Sequence, residues 1–257
     1  MEFDRKTIVA IAAAFSVIIV AIIGQRGGDD DEEKAAPLPT PAVELQASRA
    51  TSSAQVPQST GDFDLYLLVL SWSPTHCSSD AGRGRDDDLQ CRAGRPYGFV
   101  LHGLWPQHER GYPENCASDE ARRLSDDVME DALKLSPSQK LVQHEWEKHG
   151  TCSGLSQADY FAAAGLAVEG LKVPGVYKLP QRVQFTTANQ VKRAFLDANS
   201  ALPTNGILAT CRGNEIGEVR VCLDKELRPR ACSREVLKKH CGGRDVRMRA
   251  VRGDWPR

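Results

Sequence analysis

Phe63-Asp-Leu-Tyr-Leu-Leu-Val-Leu-Ser-Trp72 is a run of aromatic and branched residues that ends in Ser73-Pro74. It is too short to bury one face of a helix, and it reads as a buried central strand. Downstream, residues 78–96 are rich in Ser, Gly, Asp and Arg and form a polar loop bracketed by Cys77 and Cys91. Tyr97-Gly-Phe-Val-Leu101 then reads as a second strand, delivering His102 at its end. Functional side chains commonly sit where a rigid element hands over to a loop.

Beyond these strands, Leu124, Val128, Ala132 and Leu135 recur at helical spacing and predict a helix over 120–135. Ser136-Pro137 ends it and starts another over 138–148, stopped at Gly150. Further helices are expected over 159–170 and 187–199, and short strands near 207–209 and 218–223. There is no βαβ rhythm, internal repeat or glycine-rich phosphate loop. The expected class is α+β, a mainly antiparallel central sheet flanked by helices.

The N-terminal part differs in kind. Thr7 to Gly24 is uncharged and mostly aliphatic, follows Arg5 and Lys6, and precedes the acidic run Asp29 to Glu33. At about 1.5 Å per residue it is just long enough to span hydrocarbon, with the N-terminus on the cytoplasmic side. Residues 1–24 therefore read as a retained signal-anchor, the alternative being a cleaved signal peptide, and the rest lies on the periplasmic or extracellular side. Residues 25–61 lack aromatic residues to bury and read as a disordered acidic, Pro-, Ala- and Ser-containing tether. The remainder, 62–257, is ample for one core.

All eight cysteines, Cys77, Cys91, Cys116, Cys152, Cys211, Cys222, Cys232 and Cys241, lie in that remainder. An even number beyond an export signal points to about four disulfides in an oxidising compartment. A zinc site would want Cys-x-x-Cys knuckles, and none is present. Eight cysteines leave the pairing open. Net charge is −1, yet from Arg228 onward ten Lys and Arg face three Asp and Glu. A basic end of that kind attracts a polyanion, or is simply solvated surface.

Four of the six histidines fall in two short stretches, His-Gly-Leu-Trp-Pro-Gln at 102–107 and His-Glu-Trp-Glu-Lys-His-Gly-Thr-Cys at 144–152. Imidazole titrates near neutrality, so two such clusters are raw material for acid–base chemistry. On a helix, residues four apart share a face, pairing His144 with Lys148 and Glu145 with His149. The carboxylate would set the tautomer of His149, while His144 and Lys148 suit a phosphate or an oxyanion. Zinc-binding helices place two histidines four apart. Here they are five apart, about 140° around the helix, so no metal is expected. Trp105 is a core residue or, beside His102, a stacking surface for a nucleobase.

Phe99-Val-Leu-His-Gly-Leu-Trp-Pro106 and His144-Glu-Trp-Glu-Lys-His-Gly-Thr-Cys152 resemble the two signature segments of the ribonuclease T2 family. Phe63 to Trp72 is similar to that family's first core strand, and the likeness spans roughly 62–241. The resemblance implies an RNA endonuclease without a cofactor, acting through the ribose 2′-hydroxyl. His149 would be the general base and His102 the general acid. Glu145 and Lys148 would stabilise the phosphorane, and His144 would bind the phosphate. The products would be 2′,3′-cyclic phosphates, then 3′-phosphates. Trp105 would stack the base, with Tyr112 a second wall or a plain surface residue. After Trp-Pro this chain has Gln107, whose amide both donates and accepts, so low base specificity is expected. By the same resemblance Cys116 pairs with Cys152, Cys211 with Cys241 and Cys222 with Cys232, leaving Cys77 for Cys91. RNA is the one partner implied, apart from a membrane contact through 7–24, and the protein would be a monomer. His76 and His240 lie outside both motifs and are expected at the surface.

Overall fold

The computed structural model describes residues 55–83, 88–92, 94 and 96–252. The apolar run 7–24 and most of the expected tether lie outside them. Among the described residues no helix is long and apolar enough to cross a membrane. The last residues of that expected tether instead dock on the folded part: the Ser59 hydroxyl lies 2.6 Å from that of Tyr66, and the Gly61 N–H donates to the Ser153 carbonyl at 3.0 Å.

Strand β1 (Leu65–Trp72) is buried along almost its whole length. Its alternating side chains feed two cores. Tyr66, Leu68, Leu70 and Trp72 enter the larger one, with the helices, and Leu65, Leu67 and Val69 enter a smaller one with Leu208, Cys222 and Val236. Burial on both faces is why this segment is a nearly continuous apolar run rather than a polar–apolar alternation.

A short helix α1 (Ser73–Cys77) follows, with a proline in its first turn, and then α2 (Asp88–Cys91). Next come β2 (Phe99–Gln107), α3 (Asp126–Leu135), α4 (Gln139–Lys148), α5 (Gln157–Glu169), β3 (Gln184–Thr187) and α6 (Ala188–Ala198). The chain ends with β4 (Ile207–Arg212), β5 (Glu215–Leu223), α7 (Arg234–Leu237) and β6 (Asp245–Met248). The sheet has six strands in the order β2-β1-β5-β6-β3, with β4 beside β5. Every pairing is antiparallel except β5 with β6, which meet in parallel at Glu215 and Arg247. The fold is thus the expected α+β sheet flanked by helices.

Four disulfides close it: Cys77–Cys91, Cys116–Cys152, Cys211–Cys241 and Cys222–Cys232. The last three are the pairs that the family resemblance implied, and Cys77–Cys91 is the one it left over.

Several boundaries move. The helix expected from 120 begins at Asp126, where the Ser125 hydroxyl accepts the Val128 N–H as an N-cap. Residues 121–124 instead give their polar groups to neighbours: Ala121 and Arg123 carbonyls accept from Gln157, and the Leu124 N–H donates to Gln143. Strand β3 and strand β6, four residues each, were not anticipated, because neither carries an apolar run long enough to signal a strand.

Candidate active site

Strand β2 runs through the first histidine motif instead of stopping before it, and so His102 lies in mid-strand. The register explains how. Val69 pairs with Gly103 and Leu70 with Leu101, so His102 is the extra residue of a β-bulge. Residues three apart on a regular strand face opposite ways, whereas a bulge re-aims the chain by one position. As a result Leu101 and Leu104 both enter the larger core, while His102 and Trp105 come together, ring centroids 5.1 Å apart.

The second motif arrives on α4. Val142 and Trp146 anchor that helix in the core, and the Trp146 indole donates to the Ala121 carbonyl. Glu145, on the buried side, is 3% exposed. His149 caps the helix, in a backbone conformation that leads into a 3-10 turn at Gly150–Cys152. Cys152 is bonded to Cys116, and the Asn115 N–H donates to the Lys148 carbonyl at 2.9 Å. The loop after β2 is therefore tied to the end of α4.

These elements enclose a cleft of about 450 Å³ lined by His102, Trp105, His144, Glu145, Lys148 and His149, with Gln107, Tyr112 and Arg220. All eight site residues read from the sequence border it. Lys148 Nζ is 3.4 Å from Glu114 Oε2 at the rim. The Gln107 amide is turned on its own strand, donating to the Pro106 carbonyl at 3.0 Å. Tyr112 is half exposed, its ring 6.3 Å from that of His149.

One expected pairing does not form. Glu145 does not orient His149; it accepts a hydrogen bond from the Trp105 indole N–H at 2.5 Å, and its other oxygen lies 3.6 Å from His102 Nε2. The reason is local. Glu145 sits inside the last turn and points at β2, while His149 has already left the helix. His149 is instead stacked on Trp105, centroids 5.0 Å apart and 25° between planes, and its buried Nδ1 has no hydrogen-bond partner among the described residues.

Two residues that contact the candidate site escaped the sequence reading, Glu218 and Arg220 on β5. His102 Nδ1 and Glu218 Oε1 are 2.7 Å apart. Arg220 holds the other oxygen of Glu218 with two N–H donors, at 2.9 and 2.7 Å, and its guanidinium lies 5.2 Å over the Trp105 ring. Burial works against the charge of Glu218. The hydrogen bond and charge of His102, followed by Arg220, outweigh it and hold the carboxyl down at about 2. An ionised carboxylate only accepts, so Nδ1 of His102 carries a hydrogen and Nε2 is the nitrogen left for chemistry.

The two imidazoles are poised oppositely. Burial opposes the charge of His102, but the hydrogen bond to Glu218 and the negative fields of Glu145 and Glu218 prevail, and its proton is held above the ordinary range. His149 is only 5% exposed, and burial, with the like charges of Lys148, His144 and His102, pushes it down to about 3. Burial also pushes Glu145 up to about 7, against His102, the Trp105 hydrogen bond and Lys148. The site thus offers one imidazole that holds its proton more tightly than usual, one that is neutral near pH 7, and one carboxyl close to half-titration there.

A family model described as the ribonuclease T2 family matches residues 63–232. A protein of Aeromonas hydrophila named "Ribonuclease" is 37% identical over 221 residues, covering 79% of this chain and 93% of that protein. "Ribonuclease DdI" of Dictyostelium discoideum is 29% identical, over 72% of this chain and 85% of its own length. Among solved structures, RNase NT in complex with 5′-AMP is similar at 25% identity with a TM-score of 0.51, over 76% of this chain and 98% of that one. An RNase-related protein from Calystegia sepium, 20% identical, shares the fold with a TM-score of 0.57 over 74% and 98%.

Proposed function

The chain belongs to the ribonuclease T2 family, and from that premise we propose that this endoribonuclease cleaves single-stranded RNA by attack of the ribose 2′-hydroxyl on the adjacent phosphate, with no metal. The observation that carries the reading is the placement of His102, hydrogen-bonded to Glu218, and of buried His149 on one cleft, with their proton affinities shifted in opposite directions. In-line displacement needs a base at the nucleophile and an acid at the leaving group at the same pH.

His149 is the base. Its Nδ1 is buried, so Nε2 is the nitrogen that meets the 2′-hydroxyl. Burial depresses its proton affinity first, but Lys148 and His144 add to the effect, and a bound phosphate would neutralise those two charges. Its basicity then rises when substrate is present. His102, with Nδ1 on Glu218, gives its Nε2 proton to the departing 5′-oxygen. His144 and Lys148 bind the phosphate. Glu145, protonated below about pH 7, donates to the phosphorane oxygen as negative charge develops there. Trp105, Tyr112 and Gln107 border the place for the base on the 5′ side of the cut, with low specificity. The product is a 2′,3′-cyclic phosphate, hydrolysed later to a 3′-phosphate.

We read residues 1–24 as an export segment and 25–58 as a tether, which puts the folded part that follows in the oxidising space that four disulfides require. RNA is the partner, and the enzyme acts as a monomer; a dimer in gel filtration would contradict this. The test of function is turnover of the full chain on a dinucleoside monophosphate in EDTA. His102→Ala and His149→Ala should each lower kcat by about 10²- to 10⁴-fold. Retained turnover in either variant would overturn the assignment.

A further inference from the structure

A second cavity, about 410 Å³, shares His102, Arg220 and Lys239 with the cleft but is otherwise built from different residues. Its walls come from the end of β1 and from α1 (Ser71, Thr75, His76), from the end of β4 (Thr210, Arg212), and from the stretch after α7 that carries Lys239. The framework is stiff. Cys77–Cys91 closes the α1 side, and Cys211–Cys241 joins the end of β4 to the Lys239 stretch. The Arg212 guanidinium donates to the Ser79 hydroxyl at 3.1 Å, linking β4 to the chain just after α1.

The lining is that of an anion site. The acid on its wall, Glu218, is already paired with His102 and doubly hydrogen-bonded by Arg220. Arg212 and Lys239 therefore face the space with no competing described carboxylate on the wall. Ser71, Thr75 and Thr210 line the space beside them. Trp105 and Tyr112, the rings bordering the cleft, do not line this cavity, so it suits a phosphate better than a stacked base.

Position supplies the polarity. If His102 protonates the departing 5′-oxygen, the nucleotide that leaves begins at His102, where this cavity also begins. We propose that the cavity is a subsite for the next phosphate of the RNA strand, the one on the 3′ side of the leaving nucleoside, with Arg212 and Lys239 as its principal donors. The inference rests on the ribonuclease reading above. It makes the enzyme favour polynucleotides over dinucleotides, through contacts that take no part in bond cleavage.

The experiment compares ApA with ApAp, which adds only a 3′-terminal phosphate, using the full chain. Wild-type enzyme should cleave ApAp with a kcat/KM about tenfold higher, the size of one charge-assisted contact. In Arg212→Ala that ratio should fall towards one, and Arg212→Lys should keep most of it. The arginine is exposed, so the substitution removes no core packing. With longer RNA, Arg212→Ala should also flatten the dependence of log kcat/KM on log salt by about 0.7. Equal rates on the two substrates in the wild type, or an unchanged ratio in Arg212→Ala, would overturn the subsite. Failure to cleave either substrate would overturn the ribonuclease reading itself.

Discussion

His102 and Glu218 lie 116 positions apart, yet their 2.7 Å contact sets the proton inventory of the cleft. The pH dependence follows from the signs. His149 must be neutral, and its proton affinity in the free enzyme is lowered to about 3, so the acid limb of kcat/KM should lie near that pH. The limb of kcat, which reports the substrate complex, should lie higher, because phosphate offsets Lys148 and His144. His102 must be protonated and is held above its ordinary value, so the loss of its proton, together with that of Glu145 at about 7, should set an alkaline limb above about 6.5. In Glu218→Gln the amide can still accept from Nδ1, but the charge is gone, and the alkaline limb should move to lower pH with the acid limb unchanged. A kcat/KM profile in which Glu218→Gln loses the same factor at every pH would show a purely structural role. The sequence made the histidines, Glu145 and Lys148 visible, because two motifs carry them together. Glu218 and Arg220 stayed hidden, since an alternating pair of charges on a strand is ordinarily a solvated face.

At the level of elements, the bulge in β2 and the last turn of α4 build the site jointly. Gly103 is where they meet. A β-carbon there would stand 2.0 Å from Glu145 Oε2 and 2.3 Å from the Trp105 nitrogen, inside the hydrogen bond that joins helix to strand. Gly103→Ala should therefore push Glu145 from its place, lower kcat at least tenfold and cost about 1–3 kcal/mol of stability. Kinetics and thermal melts check both; wild-type values in the variant would mean that the Glu145–Trp105 contact is dispensable. The second and fourth expected helices were recovered almost to the residue because capping serines and threonines mark their starts, with a full capping box at Thr187 and Gln190. The bulge was not legible: a one-residue slip depends on the neighbouring strand, and it reversed the side of His102 relative to Trp105. The expected Glu145–His149 pair failed for a related reason. Helical spacing was extended one residue past the point where the helix ends.

For the molecule as a whole, the disulfides distribute the work. Cys116–Cys152 joins the loop after β2 to the segment following His149, two of the four hold the walls of the second cavity, and Cys222–Cys232 lies against the smaller core. Replacing Cys116 and Cys152 by Ala reopens a loop with a sequence separation of 36. Loop entropy puts the loss of stability at about 4 kcal/mol. A lower Tm, together with a reduced kcat below the melting range, is expected; a lower Tm with unchanged kcat would mean that the bond stabilises the fold without positioning His149. The fold class was readable because β1 is apolar throughout and the strands and helices follow no parallel rhythm. The placement of two cavities around one histidine was not, since it depends on β5 crossing beside β1. The most direct test of the chemistry is mass analysis of the products from a DNA oligonucleotide containing a single ribonucleotide, digested by the full chain in EDTA. Cleavage only on the 3′ side of that ribonucleotide, leaving a 2′,3′-cyclic phosphate, is the expected result; cleavage at deoxynucleotides, or 5′-phosphate ends, would contradict it.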